Sequence, residues 1–321
     1  VNRTAMPSRR AFLYSSVAAA AVGASWLTDR FMPSGSSTAE PIFDIHQHLP
    51  FSGRTGDELL AHQQRMGVTH TVLLPLPERV VRPSTFMGKA AWYDIGPNPT
   101  ALEFARQHPG KVWFFANEVP DLPEARQELE RYLKQGAKGI GELKFNLECD
   151  AEPIQRLAEL AGEYQVPLLM HFSREGYNVP FTRFYKMLDK YPHVTFIGHA
   201  RLFWANIDKN CDQVTDYPTT PVTPGGLTDR YLSDYPNLYA DISAGSGLNA
   251  LTRDKGHARW FLEKHQDKIV FGSDCPDKAA RGAPCDGANI LAALRRLCPT
   301  KAAERKILFE NANRLLRIEM D

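Results

Sequence analysis

Phe43-Asp44-Ile45-His46-Gln47-His48 is a short apolar run ending in two histidines. Ile269-Val270-Phe271-Gly272-Ser273-Asp274 is its counterpart near the other end of the chain, ending in a carboxylate. Between them, Pro167-Leu168-Leu169-Met170-His171 and Phe196-Ile197-Gly198-His199 repeat the arrangement. Residues two apart in a strand share a face, separated by about 6.5–7 Å, so His46 and His48 can turn toward one ion. If all these runs are parallel strands, their C-terminal ends meet at one rim. Four imidazoles and a carboxylate at that rim are what a divalent metal in an open site requires, and an open metal site implies an enzyme.

Outward from these runs the chain alternates strand-like and helix-like segments, the signature of parallel strands joined by crossover helices. Strands are expected at 42–48, 69–74, 111–117, 138–145, 167–172, 194–199, 238–243 and 268–274. Eight strands close a (β/α)8 TIM barrel, an α/β fold forming a single domain over 41–321. Helices are expected at 57–66, 100–108, 123–135, 153–164, 181–190, 227–234, 252–265 and 289–297, with a last one at 301–317. Two connections, 75–99 and 200–226, are longer than a barrel needs and fall where specificity usually sits. They carry Trp92, Tyr93, Phe203 and Trp204, candidates for stacking on a substrate ring or for packing as a lid.

This pattern resembles the amidohydrolase superfamily, and most closely its amidohydrolase-2 branch of metal-dependent hydrolases and nonoxidative decarboxylases. The resemblance runs from Ile42 to about Leu316. It rests on Asp44-Ile45-His46-Gln47-His48, His171, His199, Phe271-Gly272-Ser273-Asp274-Cys275-Pro276 and Asn311-Ala312-Asn313-Arg314-Leu315-Leu316. The resemblance implies that His46, His48, His171 and Asp274 hold a divalent metal, zinc first and manganese second. It implies that His199 polarises water or substrate or binds a second ion, and that Asp274 also accepts the proton of water. Glu142 falls where some relatives bridge two metals with a strand-four carboxylate, and Lys144, on the same face, falls where others use a carbamylated lysine. An interior Glu142–Lys144 ion pair without a metal is the plain alternative, so one ion or two stays open. The expected reaction is hydrolysis of an ester, lactone or amide by metal-activated water. Decarboxylation or hydration of a small carboxylate, or a barrel that binds without turnover, are the rivals.

Asp44 and Asp241, in strands one and seven, are candidates to orient the ligand histidines or are satisfied interior groups. Arg174, Arg201 and Arg281 follow strands five, six and eight, where guanidinium groups suit a carboxylate-bearing substrate or plain surface solvation. The remaining histidines, His62, His70, His108, His193, His257 and His265, lie in helices, turns or strand starts and read as surface or packing residues.

Composition narrows the classes further. The 321 residues are 43% hydrophobic and 23% charged with a net charge of +1, so a globular protein with a small-molecule substrate fits and a nucleic-acid partner does not. A homo-oligomer stays open. Residues 1–40 form a separate leader. Ser8-Arg9-Arg10-Ala11-Phe12-Leu13 precedes a mild apolar run from Val17 to Gly23 and small residues before Ser25. Paired arginines ahead of a weakly apolar stretch resemble a twin-arginine export signal, directing the protein to the periplasm or cell exterior. The stretch is well short of the roughly 20 residues of a membrane-spanning anchor. The five cysteines show no CxxC spacing, which argues against a zinc knuckle, and Cys275 with Cys285 are candidates for a disulfide.

Overall fold

A computed structural model describes residues 40–77 and 95–318. The stretch expected to be an export leader, up to residue 39, and the loop aromatics Trp92 and Tyr93 lie outside the described residues. Eight parallel strands follow one another around a barrel: β1 (Phe43–Gln47), β2 (His70–Leu73), β3 (Val112–Phe114), β4 (Ile140–Leu143), β5 (Leu168–His171), β6 (Phe196–His199), β7 (Leu238–Ile242) and β8 (Ile269–Phe271). Regular pairing groups β1 to β3 and β4 to β8. The seams between the groups are closed by a few hydrogen bonds outside the regular ladders. Ala116 donates to Gly139 O at 2.9 Å and Gly141 donates to Ala116 O at 2.8 Å, while Asp274 N donates to His46 O at 2.9 Å. All eight expected strands are present, shorter at their ends.

The side-chain alternation does not run evenly through two strands. Phe43 and Ile45 join Val72, Leu74, Phe115, Leu169, Ile197 and Val270 in the inner apolar cluster. Asp44 instead reaches outward to Gln63, whose Nε2 donates to it at 2.8 Å. A register irregularity between Asp44 and Gln47 then lets His46 follow Ile45 on the inner side. A second irregularity, between Ile140 and Leu143, does the same for β4, because both of these residues pack in the outer core and leave Glu142 between them. Such bulges re-aim side chains beside active sites.

The helical layer comprises α1 (Gly56–Met66), α2 (Asn98–Gln107), α3 (Ala125–Leu133), α4 (Glu152–Tyr164), α5 (Tyr185–Lys190), α6 (Arg201–Ala205), α7 (Leu227–Asp234), α8 (Ala244–Thr252), α9 (Lys255–His265), α10 (Asp286–Leu297), α11 (Lys301–Arg305) and α12 (Asn311–Leu315). Among the described residues, no helix is long and apolar enough to cross a membrane. Helix α1 starts on a capping box, with Thr55 Oγ1 accepting from Glu58 N and Glu58 accepting from Thr55 N, and stops at Gly67 with φ 80°.

Four helix expectations need correction. The stretch 181–190 is a 3-10 turn, Phe181–Arg183, followed by the short α5. The stretch 252–265 begins at Lys255, because Asp254 caps the helix by accepting from His257 N at 3.0 Å, and Thr252 ends the separate α8. The stretch 301–317 is interrupted by a π-turn at Lys306–Glu310. The long connection after β6 contains α6, which takes Phe203 and Trp204 into the core. Trp204 Nε1 donates to Asp241 O at 3.0 Å, so neither ring is a lid over a substrate.

Asp229 of α7 ties the outer layer together, accepting from Lys264 Nζ at 2.6 Å and standing 2.8 Å from His265 Nε2, both on α9. Burial alone would raise its pKa, but Lys264 and His265 outweigh burial and hold it below the ordinary aspartate value. A depressed folded pKa stabilises above the unfolded value, and that stability is lost as pH falls through the folded one. Asp229→Asn is therefore expected to cost about 1 kcal/mol near pH 7, after allowing for solvent screening at this partly exposed site. Denaturant melts should show the gap to the unaltered protein closing as the pH drops below about 3.9. A gap that persists in acid would assign the loss to packing instead of charge.

Candidate metal centre

The ends of the strands bring together all six residues singled out in the sequence: His46, His48, Glu142, His171, His199 and Asp274. Glu142 lies at the middle. Its Oε2 is 3.4 Å from His46 Nε2 and 3.7 Å from His48 Nε2. Its Oε1 is 2.5 Å from His171 Nδ1 and 3.5 Å from His199 Nε2. Asp274 faces the same group from β8, with Oδ1 3.4 Å from His48 Nε2 and 3.8 Å from His46 Nε2, and Oδ2 3.8 Å from His199 Nε2. Three overlapping sets result that could each hold a metal: His46, His48 and Glu142; Glu142, His171 and His199; and His46, His199 and Asp274.

Three of the four imidazoles are oriented from behind, while His171 turns its Nδ1 to Glu142 itself. His46 Nδ1 contacts Asp241 Oδ2 at 2.6 Å, which leaves Nε2 for the centre. His48 Nδ1 donates to Leu74 O at 2.6 Å, with the same result. His199 Nδ1 lies 3.0 Å from Ser243 Oγ and 3.2 Å from Asp241 Oδ2. Asp241 thus serves two histidines, whereas Asp44 touches neither ring and instead accepts from the backbone of His46 and Ser273 at 3.0 and 2.9 Å. Gly272 makes the close approach of these groups feasible. A Cβ there would stand 2.5 Å from Asp241 Oδ1 and 2.7 Å from His46 Cβ.

The electrostatics call for a cation. Glu142, Asp241 and Asp274 are gathered in the dark interior of the rim against one ammonium, Lys144, whose Nζ is 2.6 Å from Glu142 Oε2. Burial would lower the pKa of His46, yet Asp274, Asp241 and Glu142 raise it well above its ordinary value. Burial pushes His48 down and takes His171 to about 4. Burial would raise the carboxyls, but Lys144, His46 and His171 hold Glu142 well below the usual carboxylate range. For Asp274, His46, His48 and Lys144 do the same. The donor set fits a divalent metal: His46 Nε2 and His48 Nε2 are buried, face the carboxylates, and form no hydrogen bond. An unpartnered buried polar atom is costly unless something satisfies it.

A cavity of about 380 Å³ opens from this group toward solvent, lined among others by Lys144, Tyr177, Arg201, Tyr217 and the first turn of α8 at Gly245 and Ser246. Of the three arginines noted in the sequence, only Arg201 lines it, and Glu175 and Asp216 already neutralise it at 2.6 and 3.1 Å. Arg174 pairs with Asp216 at 2.9 Å, and Arg281 lines a separate surface cleft beside Arg65. Sequence reading missed Ser243, Tyr177 and Tyr217. The signal for Ser243 was present, since it lies two residues beyond Asp241 on the same face. The two tyrosines sit on loops whose course no periodicity reveals.

The sequence profile of the family described as "Amidohydrolase" matches residues 43–318. No curated protein matches the chain. The fold is similar to that of an uncharacterised TIM-barrel protein from Bordetella bronchiseptica, at 15% identity over 86% of this chain and 98% of that one, TM-score 0.60. It is also similar to a probable 2-pyrone-4,6-dicarboxylic acid hydrolase from Acinetobacter baumannii solved with citric acid bound (14%, 86% and 99%, TM-score 0.55). A 2,6-dihydroxybenzoate decarboxylase from Rhizobium gives 16%, 88% and 99%, with TM-score 0.54. Likeness at these identities concerns the fold.

Asp241→Asn keeps every residue that faces the centre but removes the carboxylate behind His46 and His199. Loss of such a partner typically weakens metal binding about 10–100-fold. Competition titration against a chelator should read that drop, and unchanged affinity would reduce Asp241 to a packing role.

Proposed function

Because the chain belongs to the amidohydrolase family, we propose that it is a hydrolase that cleaves an ester, lactone or amide of a small organic substrate using two divalent ions, zinc foremost. His46, His48 and Asp274 would hold one ion and His171 and His199 the other, with Glu142 shared. The single observation that carries this reading is the placement of Glu142, one oxygen facing His46 and His48 and the other facing His171 and His199. When bound, such ions bring water to a pKa of about 7 and stabilise negative charge developing on a carbonyl oxygen.

The chain's own residues supply the rest. Asp274 is the proton acceptor in this reading. Its side chain is 14% exposed and reaches the cavity, whereas Glu142 and Asp241 are sealed at 1% and 0%. Its depressed pKa keeps it ionised at neutral pH, as an acceptor must be. His199, held through Nδ1 by Ser243 and Asp241, presents Nε2 toward the substrate side. Lys144 neutralises Glu142 and lines the cavity, so it is placed to steady an anionic or carbonyl-bearing substrate. The paired Arg9 and Arg10 support export by the twin-arginine route, which carries folded proteins and so suits one loaded with metal beforehand.

The deciding experiment sets esters, lactones and amides beside hydroxybenzoate-like acids, following product and CO2 with metal-loaded protein. Hydrolysis without CO2 release is expected. Release of CO2 with no hydrolysis would overturn the reading in favour of a lyase, and inertness toward both panels in favour of a binding barrel. Asp274→Asn should lower kcat by about 10²–10⁴-fold, the usual contribution of a positioned base, with the circular dichroism spectrum unchanged. Retained turnover would contradict its role.

A further inference from the structure

Behind the rim, on the side of α1, a second group of potential metal ligands converges from three separate segments. His62 lies on α1, Cys275 and Asp277 follow β8, and Cys285 caps α10. One ligand atom from each of the four lies within 4.8 Å of every other. His62, Cys275 and Cys285 are each 0% exposed. Cys275 Sγ and Cys285 Sγ are 3.3 Å apart, and Cys285 Sγ is 3.5 Å from His62 Nε2. Met66, one helical turn after His62 on the same face, adds a thioether 3.9 Å from Cys285 Sγ.

We propose that His62, Cys275, Asp277 and Cys285 form a structural zinc site, separate from the catalytic centre. A zinc tetrahedron with bonds of about 2.3 Å to sulfur and about 2.0–2.1 Å to nitrogen has S···N edges near 3.5 Å and S···S edges near 3.8 Å. The S···N spacing matches. The S···S spacing is about 0.5 Å short of the metal-spanned edge but more than twice that distance from a sulfur–sulfur bond of about 2.05 Å. Two thiols, an imidazole and a carboxylate form a closed set of the kind that structural zinc selects over harder ions. Binding would release the two thiol protons to solvent and change no oxidation state.

The surroundings hold the donors in place. Ala288 N donates to Cys285 Sγ at 3.4 Å, and Ala280 N donates to Asp277 Oδ2 at 2.6 Å. Buried Arg54 donates to Cys275 O at 2.7 Å and to Asp277 O at 3.0 Å, fixing the backbone that carries two of the ligands. His62 Nδ1 is buried without a hydrogen-bond partner, while Nε2 lies against Cys285 Sγ. The segment from Cys275 to Cys285 contains no regular element, and a metal would pin it to α1 and α10. Asp274 immediately precedes this staple.

The test uses the full chain loaded with zinc and freed of loosely bound ion. Elemental analysis should find one zinc per chain fewer in Cys275→Ser/Cys285→Ser than in the unaltered protein. The cobalt-substituted protein should show a sulfur-to-cobalt charge-transfer band that the double variant lacks. Should the double variant fail to fold, alkylation of the unaltered protein decides. Zinc should shield Cys275 and Cys285 in peptide mass maps, and a chelator should expose them. Equal zinc content in both proteins, equal labelling with and without zinc, or a Cys275–Cys285 disulfide in zinc-loaded protein purified without reductant would each overturn the proposal.

Discussion

Two carboxylates sealed from water, Glu142 and Asp241, and a third at the cavity wall, Asp274, beside a single ammonium are the constraint around which the upper half of the barrel is organised. Isolated buried anions are too costly to persist, so each must be matched by positive charge or by hydrogen bonds. Glu142 is matched by Lys144 and the surrounding imidazoles, Asp241 by His46 and His199, and Asp274 by His46 and His48. Asp274, Asp241 and Glu142 together raise the pKa of His46 well above its ordinary value, against the effect of burial. A divalent ion held by these residues would compete with protons for the same nitrogens, so its affinity would fall as the pH drops.

The same region is where the barrel closes, and closure and chemistry share residues. Asp44 accepts from Ser273 N, His46 N and Gln63 Nε2, joining β1 to the end of β8 and to α1 in one buried knot. Gln47, next to His46, bonds both Ser273 and Arg54, and Arg54 reaches on to the loop beyond Asp274. The residues that weld the seam therefore also set the positions of His46, His48 and Asp274. This is the advantage of placing ligands at strand ends, where the backbone is already fixed by its ladder.

Much of this was legible in the linear sequence. Eight runs, several closing on His or Asp, carry both the strand count and the residues of the rim, because strand ends in a parallel barrel converge whatever their separation in the chain. What could not be read came from contacts without periodicity. The shifts in β1 and β4 arise from pairing with neighbours, and no alternation announces them. Helices α6 and α8 follow their strands so directly that they leave no spacing signal of their own. The burial of His62 agrees with a packing residue, but its approach to Cys275 and Cys285 is not legible, because they lie more than two hundred positions away in no recognisable motif. The continuous pattern over 301–317 hid a π-turn at Lys306–Glu310, a rare insertion that residue spacing does not announce.

The irregularity in β1 carries a further implication for how such chains diverge. A one-residue slip in a strand sends every later side chain to the opposite face. Between Phe43 and His48 the number of residues therefore matters as much as their identity, because a gain or loss there would exchange Gln47 for its histidine neighbours at the rim. A chain that gained or lost one residue in that segment would misplace both histidines even with its composition otherwise unchanged.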